Sequence, residues 1–253
     1  MCSRAQHLCS KKVRIVSVNR FERKKQIDLA IRAFSRLRDL ISEQDFNTLQ
    51  LVIAGGYDDR VHENVEYHRE LQALSAGLNL THETKWSSSS RPVPDAHVLF
   101  VPSFTMAQRQ YLLSSAVALV YTPPNEHFGI VPIEAMASKV PVVAVDSGGP
   151  RETVIEGVGW RCQPNAEDFA QCLKTVCSMN SFQRTAMGQR GQEWVESKFS
   201  LEAFSHRLES MLKELVGSRP RSHLFRRLVA LCIVMVVFVM MVKLVHRIAQ
   251  LYS

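Results

Sequence analysis

Two carboxylates and a loop of cations carry the chemical potential of this chain. Residues 125–137, NEHFGIVPIEAMA, set Glu126 just after an apolar run and Glu134 eight positions later, with Gly129 and Pro132 between them. Gly129 lets the backbone approach a ligand closely, and Pro132 suits a first helical turn, where its missing N–H costs no hydrogen bond. A helix starting near Ile130 and Val131 would offer free N–H groups and the positive end of its dipole to an anion. A carboxylate beside a phosphate is repulsive unless it accepts hydrogen bonds from hydroxyls. The pattern therefore points to a nucleotide sugar, with phosphate at the helix start and hydroxyls on the acids. Residues 19–25, NRFERKK, supply matching cations: Arg20 can donate a planar fork to a diphosphate, and Lys25 adds a point charge. In a transfer reaction the same charges would stabilise a departing nucleoside diphosphate. A basic loop by itself is more often a solvated face; its place directly after a first strand is what singles it out.

Positioning these groups requires a sheet. Short, β-branched, apolar runs at 13–18, 51–54, 98–101, 117–121 and 141–145 predict buried strands, and segments of helical period separate them. Ile27, Ala30, Ile31, Phe34, Leu37 and Ile41 predict one apolar helix face over that sheet. Further helices are predicted at about 108–115, from Ile130 onward, and at 166–176, 182–198 and 201–216. This alternation is that of βαβ units in an α/β, Rossmann-like parallel sheet, which binds ligands at the carboxyl ends of its strands. Residues 81–97, THETKWSSSSRPVPDAH, predict a polar insertion.

Composition narrows the function. With 253 residues, 46% apolar and 22% charged, the chain can bury a real core and is neither disordered nor collagenous. Of its net charge of +7, six cations (Arg219, Arg221, Arg226, Arg227, Lys243, Arg247) lie after residue 215 with no acid among them. The body is nearly neutral and lacks the basic face that nucleic acid requires. Six cysteines without a C-x-x-C pair predict reduced thiols. No G-x-G-x-x-G, Walker A, H-E-x-x-H or G-x-S-x-G motif is present, no metal site is predicted, and Asp58-Asp59 reads as a solvated turn.

Residues 228–242, LVALCIVMVVFVMMV, form an uncharged apolar run of fifteen. At a rise of 1.5 Å each they cover about 22 Å of a roughly 30 Å hydrocarbon core. If Lys243 snorkels, Leu244 and Val245 extend the run to eighteen. A membrane-anchor helix is predicted, and the excess of cations before it places the folded body in the cytosol. Nothing of signal-peptide type follows Met1.

In order along the chain, Arg20 and Lys25, the strand-end glycines Gly55 and Gly56, the E-x7-E pair Glu126 and Glu134, and the turn Ser147-Gly148-Gly149-Pro150 with Glu152 resemble the C-terminal half of GT-B glycosyltransferases of family GT4. The resemblance covers about residues 13–216. Within the family, NRFERKK, LVIAGGYDDRV and YTPPNEHFGIVPIEAMA are similar to enzymes that add α-1,3- and α-1,6-linked mannose to a lipid-linked oligosaccharide. The resemblance implies GDP-mannose as donor, a dolichol-diphosphate-linked oligosaccharide as acceptor, retention of configuration, and no cofactor or metal. It also implies an endoplasmic reticulum membrane location facing the cytosol, and other mannosyltransferases as partners. Arg20 and Lys25 would hold the diphosphate, Glu126 the mannose hydroxyls without acting as a nucleophile, and Glu134 the ribose diol. Gly55, Gly56, His127 and the amides of Phe128, Gly129, Ile130 and Val131 complete the donor site, with Phe104 beside the base. The expected division is a polar segment at 1–12, a nucleotide-sugar domain at 13–216, and a basic linker with anchor helix at 217–253. The N-terminal GT-B domain, which supplies most of the acceptor site, has no counterpart here, so the chain is expected to carry the donor half and to need a partner for transfer. A non-catalytic, membrane-anchored nucleotide-sugar-binding or scaffold protein, and a GT4 enzyme for another lipid acceptor, are the rival readings.

Overall fold

The computed structural model describes residues 12–85, 95–217 and 223–249. The chain divides into two compact units, Met1–Ser200 and Leu201–Ser253.

The first unit is an α/β fold around one sheet. Its strands are β1 (Val13–Val18), β2 (Leu49–Gly55), β3 (His82–Thr84), β4 (Val98–Pro102), β5 (Ala116–Tyr121), β6 (Val142–Val145) and β7 (Gly159–Cys162). They run parallel in the order β3-β4-β2-β1-β5-β6-β7. Both faces are buried, so the period of two sorts the apolar side chains into two layers. Ile15, Leu51, Ile53, Phe100, Val120 and Val143 face one core, while Val16, Val52, Leu99, Leu119, Val142 and Ala144 face the other.

The helices are α1 (Ile27–Leu37), α2 (Glu43–Thr48), α3 (His62–Gly77), α4 (Met106–Ser115), α5 (Ile130–Ala137), α6 (Pro150–Thr153), α7 (Ala166–Ser178) and α8 (Ser181–Phe199). In α1 the predicted residues Ile27, Ala30, Ile31, Phe34 and Leu37 are all fully buried. The helix stops at Leu37, and Ile41 packs against the same core from beyond its end. Along the strand order, β2 lies on one side of β1 and β5 on the other. Chain direction through the sheet therefore switches at β1/β5, where open α/β sheets form their ligand crevice.

Two departures from the predicted pattern matter. The segment 81–97 is no simple insertion: its first residues form β3, and Lys85 N–H donates to the Phe100 carbonyl at 2.8 Å. Residues 86–94 lie outside the described residues. The helix α3 was not predicted, because its buried side chains include Asn64, Tyr67, His68 and Ser75, with Leu71 the one aliphatic among them. Helical spacing is present, carried by polar residues.

The second unit holds α9 (Leu201–Gly217) and α10 (His223–Ala249). In α9, Phe204, Leu208, Met211, Leu212 and Leu215 are exposed, and in α10 so are the apolar side chains from Ile233 to Val242. Among the described residues no helix is long and apolar enough to cross a membrane. The described side chains of α10 end at Lys243, so Leu244 and Val245 of the eighteen-residue run lie outside them.

Candidate functional site

The loop after β1 is held against the end of β2. Asn19 N–H donates to the Ala54 carbonyl at 2.9 Å, and Phe21 N–H to the Gly56 carbonyl at 3.1 Å. Gly55 is required by this approach: a Cβ there would sit 1.6 Å from the Asn19 carbonyl oxygen. A 3-10 turn at Arg23–Lys25 ends on Gln26 in left-handed backbone, and the buried Thr122 hydroxyl donates to the Lys25 carbonyl at 2.8 Å. These bonds send the Lys25 side chain inward, where it is 11% exposed and forms an ion pair with Glu126. Arg20 remains at the mouth, 62% exposed, with Nη1 2.9 Å from Glu22 Oε1.

Glu126 follows β5 in a loop cradled by the second glycine turn. Gly149 N–H donates to the Glu126 carbonyl at 2.6 Å, and Ser147 Oγ accepts from Asn125 N–H at 3.1 Å and donates to Asn125 Oδ1 at 2.9 Å. Cβ atoms on Gly148 and Gly149 would fall 2.4 Å from the Glu126 oxygen and 2.3 Å from the Phe128 oxygen. Gly129 caps α5 with φ of +74°, a left-handed conformation that favours glycine. Ile130 and Val131 then open the helix toward the crevice.

A cavity of about 250 Å³ lies at this switch point and is lined by Arg20, Lys25, Gly55, Gly56, Phe104, Glu126, Ile130 and Val131 of the predicted set. Gly129 is buried. His127 is exposed, and Phe128, 47% exposed, meets Phe199 edge to face at 5.6 Å between centroids. Neither lines the cavity. Glu134 reaches it through an intermediary that sequence reasoning missed, Arg109 of α4, which lines the wall and pairs with the Glu134 carboxylate. Burial pushes the Glu134 carboxyl up, and Arg109 pulls it back toward the ionised form. Tyr121, also in the wall, is pushed up by burial and by Glu126, so its phenol stays neutral. The one sequence signal for Arg109 was the T-x-x-Q capping box that starts α4 at Thr105 and so fixes which face position 109 takes.

The cavity thus offers three cations (Arg20, Lys25 and Arg109), one acid (Glu126) with Glu134 behind Arg109, the helix start at Ile130 and Val131, and the aromatic side chains of Phe104 and Tyr121, a set suited to a phosphorylated ligand bearing hydroxyls.

Comparison with known proteins agrees with this architecture. Residues 3–194 match the family described as Glycosyl transferases group 1. The chain is 46% identical over 213 residues to alpha-1,3/1,6-mannosyltransferase ALG2 of Rhizomucor pusillus, covering 81% of this chain and 46% of that protein. To the Schizosaccharomyces pombe protein of the same name it is 43% identical over 231 residues, covering 89% of this chain and 45% of that protein. The chain spans about half the length of these relatives. Its fold superposes on sucrose-phosphate synthase from Thermosynechococcus elongatus with a TM-score of 0.65 and 25% identity, over 83% of this chain and 47% of that one. The sheet order is GT-B-like, and the sequence match extends across most of the sheet that carries the cavity: the chain belongs to the glycosyl transferases group 1 family.

Proposed function

We propose that this chain is the donor-binding half of a retaining mannosyltransferase that takes GDP-mannose and serves a dolichol-diphosphate-linked oligosaccharide. One observation carries the reading: Lys25 and Glu126, 101 residues apart, meet in the switch-point cavity that Arg20 also lines and that Arg109 connects to Glu134. The name borne by the relatives supports mannose as the transferred sugar.

In this reading Arg20 and Lys25 take the diphosphate, helped by the amides at Ile130 and Val131, and the cations stabilise the departing GDP as the glycosidic bond breaks. Lys25 is paired with Glu126; a bound diphosphate competes for the ammonium and leaves Glu126 to accept the mannose hydroxyls. Glu134 accepts the ribose diol, and Phe104 borders the guanine. The charge on the leaving group is met by the protein's own cations, so the proposal includes no cofactor. Acceptor binding belongs to an N-terminal GT-B half, and α10 serves as the anchor in the endoplasmic reticulum membrane, with the body on the cytosolic face and other mannosyltransferases of the pathway as neighbours.

A thermal-shift comparison of GDP, UDP, ADP and GDP-mannose tests the donor. GDP and GDP-mannose are expected to raise the melting temperature most, since a ligand at a hundred times its Kd adds about 2.7 kcal/mol to stability; a preference for UDP overturns the mannose assignment. Transfer to a dolichol-linked acceptor is expected only when an N-terminal half is supplied, and turnover by the purified chain alone would refute that clause. Release of the chain by alkaline carbonate would refute the anchor.

A further inference from the structure

We propose that Arg109 is the positioning residue of the nucleotide site: its guanidinium holds the Glu134 carboxylate toward the ribose diol and neutralises it beside the diphosphate. The inference rests on the assignment of Glu134 to the ribose made above, and adds a residue to which neither the sequence motifs nor the comparisons give a role.

Three features of the structure carry it. The first is rigidity. The capping box fixes the start of α4, with Gln108 N–H donating to Thr105 Oγ1 at 3.2 Å and Thr105 N–H to Gln108 Oε1 at 2.8 Å. Arg109 N–H then donates to the Thr105 carbonyl at 2.9 Å, so the guanidinium projects from a defined first turn. The second is geometry. Arg109 lines the cavity while Glu134, on α5, does not, and their ion pair connects the two. The bond uses Nη2 and Oε2, so Glu134 Oε1 retains acceptor capacity for a hydroxyl. Among the described residues, Arg109 Nε is buried with no hydrogen-bond partner, a donor available to a ligand in the cavity it lines.

The third is charge. Glu134 is 30% exposed at the side chain and is penalised by burial. A bound diphosphate brings further negative charge to the same crevice, and an unpaired carboxylate there would repel it. Pairing with an always-charged guanidinium removes that conflict and keeps the carboxylate an acceptor. An ammonium could supply the charge but not the planar fork that orients one oxygen.

Calorimetric titration of the full chain with GDP and with 2′-deoxy-GDP tests the role, because loss of the 2′-hydroxyl reads out the ribose contact alone. The parent chain is expected to prefer GDP. Arg109→Ala should lower that preference roughly tenfold, the scale of one charge-assisted hydrogen bond, and Arg109→Lys should restore part of it. The double variant with Glu134→Gln should lose no more than either single one, as residues acting as a unit do. Arg109→Gln, of similar length, is the reading variant if Arg109→Ala does not fold. An unchanged GDP to 2′-deoxy-GDP ratio in the Arg109 variants, or equal weakening of both ligands, overturns the proposal. No preference in the parent chain, or an intact preference in Glu134→Gln, overturns instead the ribose assignment of Glu134.

Discussion

Gly149 shows how a residue outside the cavity lining shapes the site. Its φ of −54° is ordinary helical backbone, so alanine would face no conformational penalty; the obstacle is a Cβ placed 2.3 Å from the Phe128 carbonyl oxygen. Gly149→Ala must push residues 126–128 outward, moving the Glu126 carbonyl that accepts the Gly149 N–H bond. The expected outcome is a loss of about 1–3 kcal/mol in urea unfolding, the scale of overpacking, together with weaker GDP binding in the folded fraction. Motif matching could mark Gly148 and Gly149 as a loop of interest. It could not reveal that they serve the acid loop, because the contact joins positions more than twenty residues apart.

At the scale of elements, α4 is the test case. It is ten residues long with three buried side chains, Gln108, Leu112 and Leu113, so its start depends on the cap more than on an apolar face. Thr105→Ala removes the side-chain acceptor for Gln108 N–H and should cost about 1 kcal/mol in chemical denaturation. Because Arg109 begins at that turn, the same change should also weaken GDP binding modestly. Legibility followed the physics of each element. The five strands buried on both faces and the helix α1 were readable because apolar periodicity is local. The helix α3 and the strands β3 and β7 were not, since β7 reads GWRC and β3 reads HET, with stability drawn from pairing to β6 and β4.

For the molecule as a whole, His68 is expected to contribute acid sensitivity, beside His97, whose pKa burial also lowers. His68 lies 6% exposed with its ring edge-on to Phe21, Tyr57 and Phe100 at 5.2 to 5.7 Å, and its Nε2 is 3.2 Å from Thr84 Oγ1. Burial, aided by His82, pushes its pKa down to about 4. The folded state therefore binds the proton less readily than the unfolded chain, whose histidine titrates near 6.5. The stability from holding the ring neutral is complete above about pH 6.5 and is lost as pH falls from there through about 4. His68→Phe should flatten the melting temperature between pH 6.5 and 4 relative to the parent chain, and an unchanged slope would assign the acid response elsewhere.

By itself the sequence determined the α/β class, most of the strands, the helix start at Ile130, and the cations and acids fit for a phosphorylated, hydroxyl-bearing ligand, because these follow from local spacing and side-chain chemistry. Tertiary structure decided which of those groups meet. Lys25 and Glu126 touch because β5 lies beside β1 in the sheet, and Glu134 is held by Arg109 because α4 and α5 pack together on one face. In the first unit, strand order and helix packing together bury the apolar faces of the sheet and its helices, and no window of sequence contains that sum.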